Sequence, residues 1–129
     1  MDTQTNSEVI HELYDAYVTG NLAAFDVYTD DSVWVERGRN ERTGVHRGKQ
    51  AILEHAMQLA VLTDGTIATT VKEILPGEGY VAVLERATAK RNGHQLEMDC
   101  CSMYTLRAGK IAELNVLPFD AARWDEFWT

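Results

Sequence analysis

The stretch YVAVLERATAKRNGHQLEMDCCSMYTLRAGKIAELNVL, residues 80–117, decides the fold. Apolar and polar side chains alternate along it with a period of two, the signature of half-buried strands. Asn92-Gly93 interrupts the alternation with the dipeptide that two-residue hairpin turns favour, because both turn positions need a positive φ. Ala108-Gly109 supplies a second turn. Three strands are predicted: Tyr80 to Lys90, Gln95 to Leu106 and Ile111 to Leu117. A fourth, Thr66 to Leu75, precedes them and is closed by Pro76-Gly77.

Upstream the period changes to that of a helix. Thr5 and Glu8 stand at capping-box spacing. Ile10, Leu13, Tyr14 and Tyr17 follow at helical intervals, and Gly20 is the stop. Asn21 is placed to cap a second, shorter helix bearing Leu22, Phe25 and Tyr28. Ser32 to Glu36 is rich in Val and Trp and is predicted as a strand. Arg37 to Gly48, with its glycines and charges, is marked as a solvated loop. A third helix carries Ile52, His55, Ala56 and Leu59 on one face. Trp124, Phe127 and Trp128 are spaced for a packed helical tail. Helices first and antiparallel strands after predict an α+β domain, and no repeat or linker divides residues 1–129. A curved antiparallel sheet with three helices on its concave side encloses a cone-shaped hollow.

The 129 residues include 12 basic and 20 acidic side chains, a net charge of -8. This balance argues against nucleic acid and against an anionic membrane surface as partners. No apolar run approaches the ~20 residues of a membrane span. The opening MDTQTNSEVIHEL has neither the basic nor the apolar region of a signal peptide, so a cytoplasmic location is expected. Cys100 and Cys101 are adjacent and point to opposite faces of a strand. No disulfide between them and no spaced Cys/His metal set is expected, and neither a glycine-rich phosphate loop nor a G-x-S-x-G nucleophile elbow is present.

Alternation sorts the faces. Val81, Val83, Glu85, Ala87 and Ala89 share one side of their strand, and four are apolar, so that side faces the hollow. Met98, Cys100, Ser102, Tyr104 and Leu106 share the inward side of the next. Ala112, Leu114 and Val116 face inward on the last, with Ile111, Glu113, Asn115 and Leu117 opposite. Trp34 carries Glu36 inward with it. A carboxyl taken out of water has its pKa raised, which suits it to proton transfer near neutral pH. Glu36 and Glu85 are therefore the chemical candidates. Against this, Glu36 also fits a strand end in water or an ion pair with Arg37 or Arg39. Glu85 also fits a pair with a neighbouring base, or a bulge that turns it outward. His55, Tyr14 and Tyr17 fit either a site or ordinary core packing.

Tyr17-Val18-Thr19-Gly20-Asn21-Leu22 with Phe25, Tyr28-Thr29-Asp30-Asp31-Ser32-Val33-Trp34, Gly44, Gly48, Ile52, Arg107-Ala108-Gly109-Lys110-Ile111-Ala112-Glu113 and Asp125-Glu126-Phe127-Trp128 occur in this order. In that order they resemble the nuclear transport factor 2-like superfamily, in particular its SnoaL-like and ketosteroid-isomerase-like members. The resemblance implies a cystatin-like α+β barrel, a cone of curved sheet closed by three helices and dimeric through the sheet. Outward Met103, Ile111 and Leu117 would then be available for a homodimer face. It places Glu36 at the position of the isomerases' carboxylate base. It also places Leu13 where they carry a tyrosine, Ser102 where they carry an acid, and Val35 where many SnoaL-like members carry a histidine. Epoxide hydrolases of the superfamily use an Asp-Arg-Asp cluster inside the cone. No inward arginine is expected between two inward aspartates here, which disfavours that activity.

These readings converge on a small hydrophobic, carbonyl-bearing molecule in an apolar pocket, bound without metal or cofactor. Glu36, Tyr14 and Ser102 are the candidate catalytic groups. Tyr17, Trp34, His55, Val83, Glu85, Ala87, Cys100, Tyr104, Leu114 and Val116 are the candidate substrate-binding groups. The reaction class expected is isomerisation or cyclisation. The alternative is a ligand-binding or dimerisation module without chemistry.

Overall fold

The computed structural model describes residues 5–129. Helix α1 (Asn6–Thr19) begins as its capping box dictates. Thr5 Oγ1 accepts the Glu8 amide at 3.2 Å and donates to the Glu8 carboxylate at 2.9 Å. Val9, Ile10, Leu13 and Ala16 form its buried face, and Gly20, at φ 75°, returns its amide to the Ala16 carbonyl. Leu22–Val27 is the second, shorter helix expected there, formed as a 3-10 helix, and Tyr28, expected on it, instead opens the first strand. The Asn21 side chain makes no capping bond, and none of the six residues is fully buried.

Strand β1 (Tyr28–Glu36) starts ahead of the expected Ser32. Strand β2 (Gly44–Arg47) lies inside the segment whose glycines and charges mark it as loop. Four residues are too few for a period to show. Then come α2 (Lys49–Leu62), β3 (Ala68–Pro76), β4 (Tyr80–Arg91), β5 (His94–Arg107), β6 (Lys110–Pro118) and α3 (Ala121–Trp128). Asp120 caps α3 by accepting the Arg123 amide.

The strands form one sheet in the order β2-β1-β6-β5-β4-β3. All neighbours are antiparallel except β1 and β6, which run parallel. The sheet is therefore mixed, where hairpin turns alone predict a wholly antiparallel one. Such turns fix the direction of consecutive strands only; β1 meets β6 through the rest of the chain. The β1 register slips between Tyr28 and Val33, and buried Ser32 stitches the slip. Its hydroxyl accepts the Thr29 amide at 2.8 Å and donates to the Ile111 carbonyl.

One face of the sheet buries Val81, Val83, Glu85, Ala87 and Ala89 of β4 and Leu96, Met98, Cys100, Ser102, Tyr104 and Leu106 of β5, as alternation predicts. The last strand departs from it. Thr105 pairs with Glu113 but Leu106 with Ile111, so Ala112 is an extra residue. This bulge turns Ile111 inward beside Leu114, to 1% exposure, and leaves Ala112 half-exposed. Ile111 is thus core, not part of an outward face. Among the described residues, no helix is long and apolar enough to cross a membrane.

The bulge sets a test. Ile111→Ala should destabilise the fold by about 2–5 kcal/mol in urea denaturation, as for a core residue. An outward position would change stability by no more than about 0.5 kcal/mol.

Candidate functional site

Two carboxyl groups lie on the inner face of the sheet, each in a different setting. Glu36 ends β1 on the same face as Trp34 and is 2% exposed. Its Oε1 lies 3.1 Å from His55 Nε2 and 3.5 Å from Arg42 Nη2. The partner is therefore neither Arg37 nor Arg39. Arg42 comes from the segment expected to be solvated, yet it is 1% exposed. Its Nη1 donates to the His55 carbonyl at 3.2 Å and to Gln58 Oε1 at 3.1 Å. A buried carboxylate must be paired and hydrogen-bonded, and a guanidinium with its fork of donors suits that task. Removing one partner of such a pair costs about 3–5 kcal/mol, because the other charge is stranded.

His55 stands on α2, edge-on to Trp34 with ring centroids 4.7 Å apart, and stacked on His46 of β2 at 3.6 Å. Burial lowers its pKa, and the nearby Arg42 and His46 act in the same direction, while the hydrogen bond to Glu36 opposes them. Glu36 Oε2 is different from its twin. It is buried and has no hydrogen-bond partner among the described residues, as is true of Trp34 Nε1. Tyr28 Oη, Arg42 Nε, Trp124 Nε1 and Trp128 Nε1 share this state.

Among the described residues Glu85 has no basic partner, and it is buried at 9% exposure instead of turned outward. Ser102 Oγ donates to its Oε1 at 2.7 Å and Tyr14 Oη to its Oε2 at 2.8 Å. Tyr104 Oη donates to Tyr14 Oη at 3.0 Å. The register explains the first contact: Glu85 pairs with Cys100, which makes Ser102 its diagonal neighbour on the same face. Tyr14 reaches it from α1. Burial pushes the Glu85 carboxyl above its ordinary 4.5, and the two hydroxyl donors pull against that. Burial and then the Glu85 charge push the Tyr14 phenol well above 10.0, so it remains a donor.

The expected trio of Glu36, Tyr14 and Ser102 is thus divided. Tyr14 and Ser102 converge on Glu85. Glu36 is separated from Ser102 by β6, its register partner being Val116. Trp34 and His55 gather around Glu36, while Tyr104 joins the Glu85 group. Val83, Ala87, Cys100, Leu114 and Val116 are buried on the inner face. Burial, followed by the Glu85 and Glu36 charges, pushes the Cys100 thiol up to about 12, which makes it inert as a nucleophile. Tyr17 is 46% exposed and packs edge-on against Tyr14 and Phe25, toward the rim.

Arg42 and His46 belong to the cluster and were not among the expected residues. The only sequence signal for His46 is its place between Val45 and Arg47, whose side chains face out. Among the described residues no group of three or more His, Cys, Asp or Glu side chains is placed to hold a metal ion. A cleft of about 420 Å³ lies away from both carboxyls, lined by Thr29, Asp31, Thr105, Arg107, Lys110 and Glu113 beside the β1 slip.

A family model described as the SnoaL-like domain matches residues 10–114. The structure is similar to Bal32a from a soil-derived mobile gene cassette, with a TM-score of 0.89 and 26% identity over 96% of each chain. It is similar to a cystatin-like-fold protein from Xanthomonas campestris, with a TM-score of 0.87 and 21% identity over 97% of this chain and 98% of that one. It is also similar to TerC co-crystallised with polyporic acid, with a TM-score of 0.79 and 19% identity over 95% and 96%. A comparison with curated proteins returns no match.

Two outcomes follow from the Glu85 group. Tyr14→Phe deletes one donor to Glu85 and the acceptor of Tyr104. It should cost about 1–3 kcal/mol in urea denaturation and raise the Glu85 carboxyl further in an NMR titration. A carboxyl whose pKa is raised by folding contributes stability below its ordinary value, and that contribution is lost as pH rises through the raised value. Wild-type stability should therefore fall with rising pH above 4.5 relative to Glu85→Gln, which lacks the titrating group.

Proposed function

This chain belongs to the SnoaL-like domain family, and on that premise we propose that it is a cofactor-free proton-transfer enzyme acting on a small, largely apolar, carbonyl-bearing molecule. The observation that carries the reading is the asymmetry of Glu36. One carboxyl oxygen is held by His55 and Arg42, and the other is buried and has no hydrogen-bond partner among the described residues. A fixed, buried carboxylate with one unpartnered oxygen is suited to act as a general base toward a substrate proton within its reach. Glu36 Oε2 would take the proton from the carbon next to the carbonyl. The resulting enolate would be reprotonated at another carbon in an isomerisation. In a cyclisation its carbon would attack a second carbonyl, and Glu36 would return the proton to the new alkoxide.

The enolate oxygen needs a donor, because stabilising that developing charge is usually the larger catalytic effect. Tyr14 and Ser102 already give their protons to Glu85. The group offers a proton outward only with Glu85 protonated; burial shifts that carboxyl in this direction, against its two hydroxyl donors. TerC, crystallised with polyporic acid, supports an organic ligand within this fold.

The second reading is a binding or dimerisation module without chemistry. The saturated Glu85 group favours it, since an ionised Glu85 leaves no free hydroxyl proton. Leu117 and Phe119, exposed on and after β6, would serve a second copy of the chain.

Deuterium exchange into a panel of enolisable cyclic ketones separates the two. The wild-type protein should accelerate exchange of at least one, and Glu36→Gln should slow that exchange by about 100-fold or more. Equal rates with and without the Glu36 carboxylate would give the site to the binding module.

A further inference from the structure

Residues 37–43, between β1 and β2, carry no regular structure, yet Arg42 among them is fully buried. Helix α3 holds it there. Asp125 Oδ1 accepts the Arg39 amide at 2.9 Å and Asn40 Nδ2 at 2.7 Å. Asn40 Oδ1 in turn accepts the Arg42 amide at 2.8 Å. Gly38, at φ 108°, lets Asp125 approach into the space a Cβ would occupy. Trp128 lies beneath the Arg42 guanidinium, 5.3 Å from ring centroid to carbon. Arg91 of β4 lies over the same ring, donates to the Phe127 carbonyl at 3.0 Å and pairs with Glu41. Helix and segment are thus tied at several points.

The charged and titratable groups around the His55 ring are Glu36 from β1, Arg42 from this segment and His46 from β2. His55 Nε2 lies 3.1 Å from both Glu36 Oε1 and Arg42 Nη2. One ring nitrogen donates to the carboxylate or accepts from the guanidinium, and cannot do both. The guanidinium keeps its proton under all ordinary conditions. An imidazolium would add a second cation 3.1 Å from the first, inside the protein, for a single carboxylate.

We propose that Arg42, clamped by α3, is a positioning residue that serves as the counterion of Glu36 in place of His55, and so leaves His55 an uncharged imidazole able to take up or pass on a proton. The use of that proton rests on the acid–base reading above, whereas the charge arrangement stands without it.

The test is a titration of the His55 imidazole by nitrogen-detected NMR, with His55→Gln identifying the resonance. It reads protonation and requires no substrate. In the wild-type protein His55 should remain neutral to below the ordinary 6.5. In Arg42→Met the cation is gone, Glu36 turns to His55, and the ring should titrate about one pH unit or more higher than in wild type. Arg42→Lys should bring the titration back toward wild type, which a purely space-filling role for Arg42 does not predict. Asp125→Ala, which loosens the clamp from a half-buried position, should shift the titration upward by a smaller amount. A wild-type His55 charged at neutral pH, or one that titrates alike in wild type and Arg42→Met, overturns the proposal. If Arg42→Met does not fold, Asp125→Ala decides: an upward shift sustains the proposal and an unchanged titration overturns it. Should Glu36→Gln leave ketone exchange untouched while these shifts occur, the proton-transfer reading fails and the charge arrangement stands.

Discussion

A carboxylate at the buried end of β1 cannot be left without a positive partner, and much of this structure answers to that constraint. Glu36 draws Arg42 inward from an irregular segment. A buried guanidinium has more donors than one carboxylate can occupy, so the His55 carbonyl and Gln58 of α2 take two of the remainder. Its flat face needs a platform, which Trp128 supplies. The platform requires α3 to fold back against the same segment, and Asp125 fastens it there. The end of β1, the middle of α2 and the end of α3 thereby meet around one ion pair.

The second carboxyl is solved in another way. Among the described residues Glu85 has no cation within its hydrogen-bonding group, only hydroxyls. Burial is then weakly compensated, and the proton is retained to higher pH. One inner face thus carries a carboxyl held by charge and a carboxyl held by neutral donors. Environments that differ in this way separate acid from base among chemically identical groups.

Much of this was legible in the residues. The capping box at Thr5, the Gly20 stop, the hairpins at Asn92-Gly93 and Ala108-Gly109 and the inward faces of β4 and β5 all follow from local rules. The inward placement of Glu36 and Glu85 follows from alternation, and the family follows from the order of short motifs. What escaped depends on partners distant in the chain. The parallel pairing of β1 with β6 has no local signature. The Ala112 bulge reverses one face without any Gly or Pro at the extra position. Arg42 sits among charges in a glycine-bearing segment that has every mark of a surface loop, and only the contacts from α2, β1 and α3 make its burial affordable. The grouping of Tyr14 with Glu85 rather than Glu36 depends on how α1 lies across the sheet, which periodicity does not encode.

The parallel seam between β1 and β6 also governs the order in which the chain can be completed as it is made. β1 precedes its neighbour β6, and the Trp128 platform beyond it, by the whole stretch from β2 to β5. Until they arrive, Glu36 and Arg42 have no enclosed interior to occupy, and the inner edge of β1 is an unpaired row of amides and carbonyls. Such non-local pairing slows folding and prolongs the exposure of sticky edges. Pairing of β6 with β1 and docking of α3 are therefore a closing step in assembly, taken only after β1 and the segment that carries Arg42 already exist.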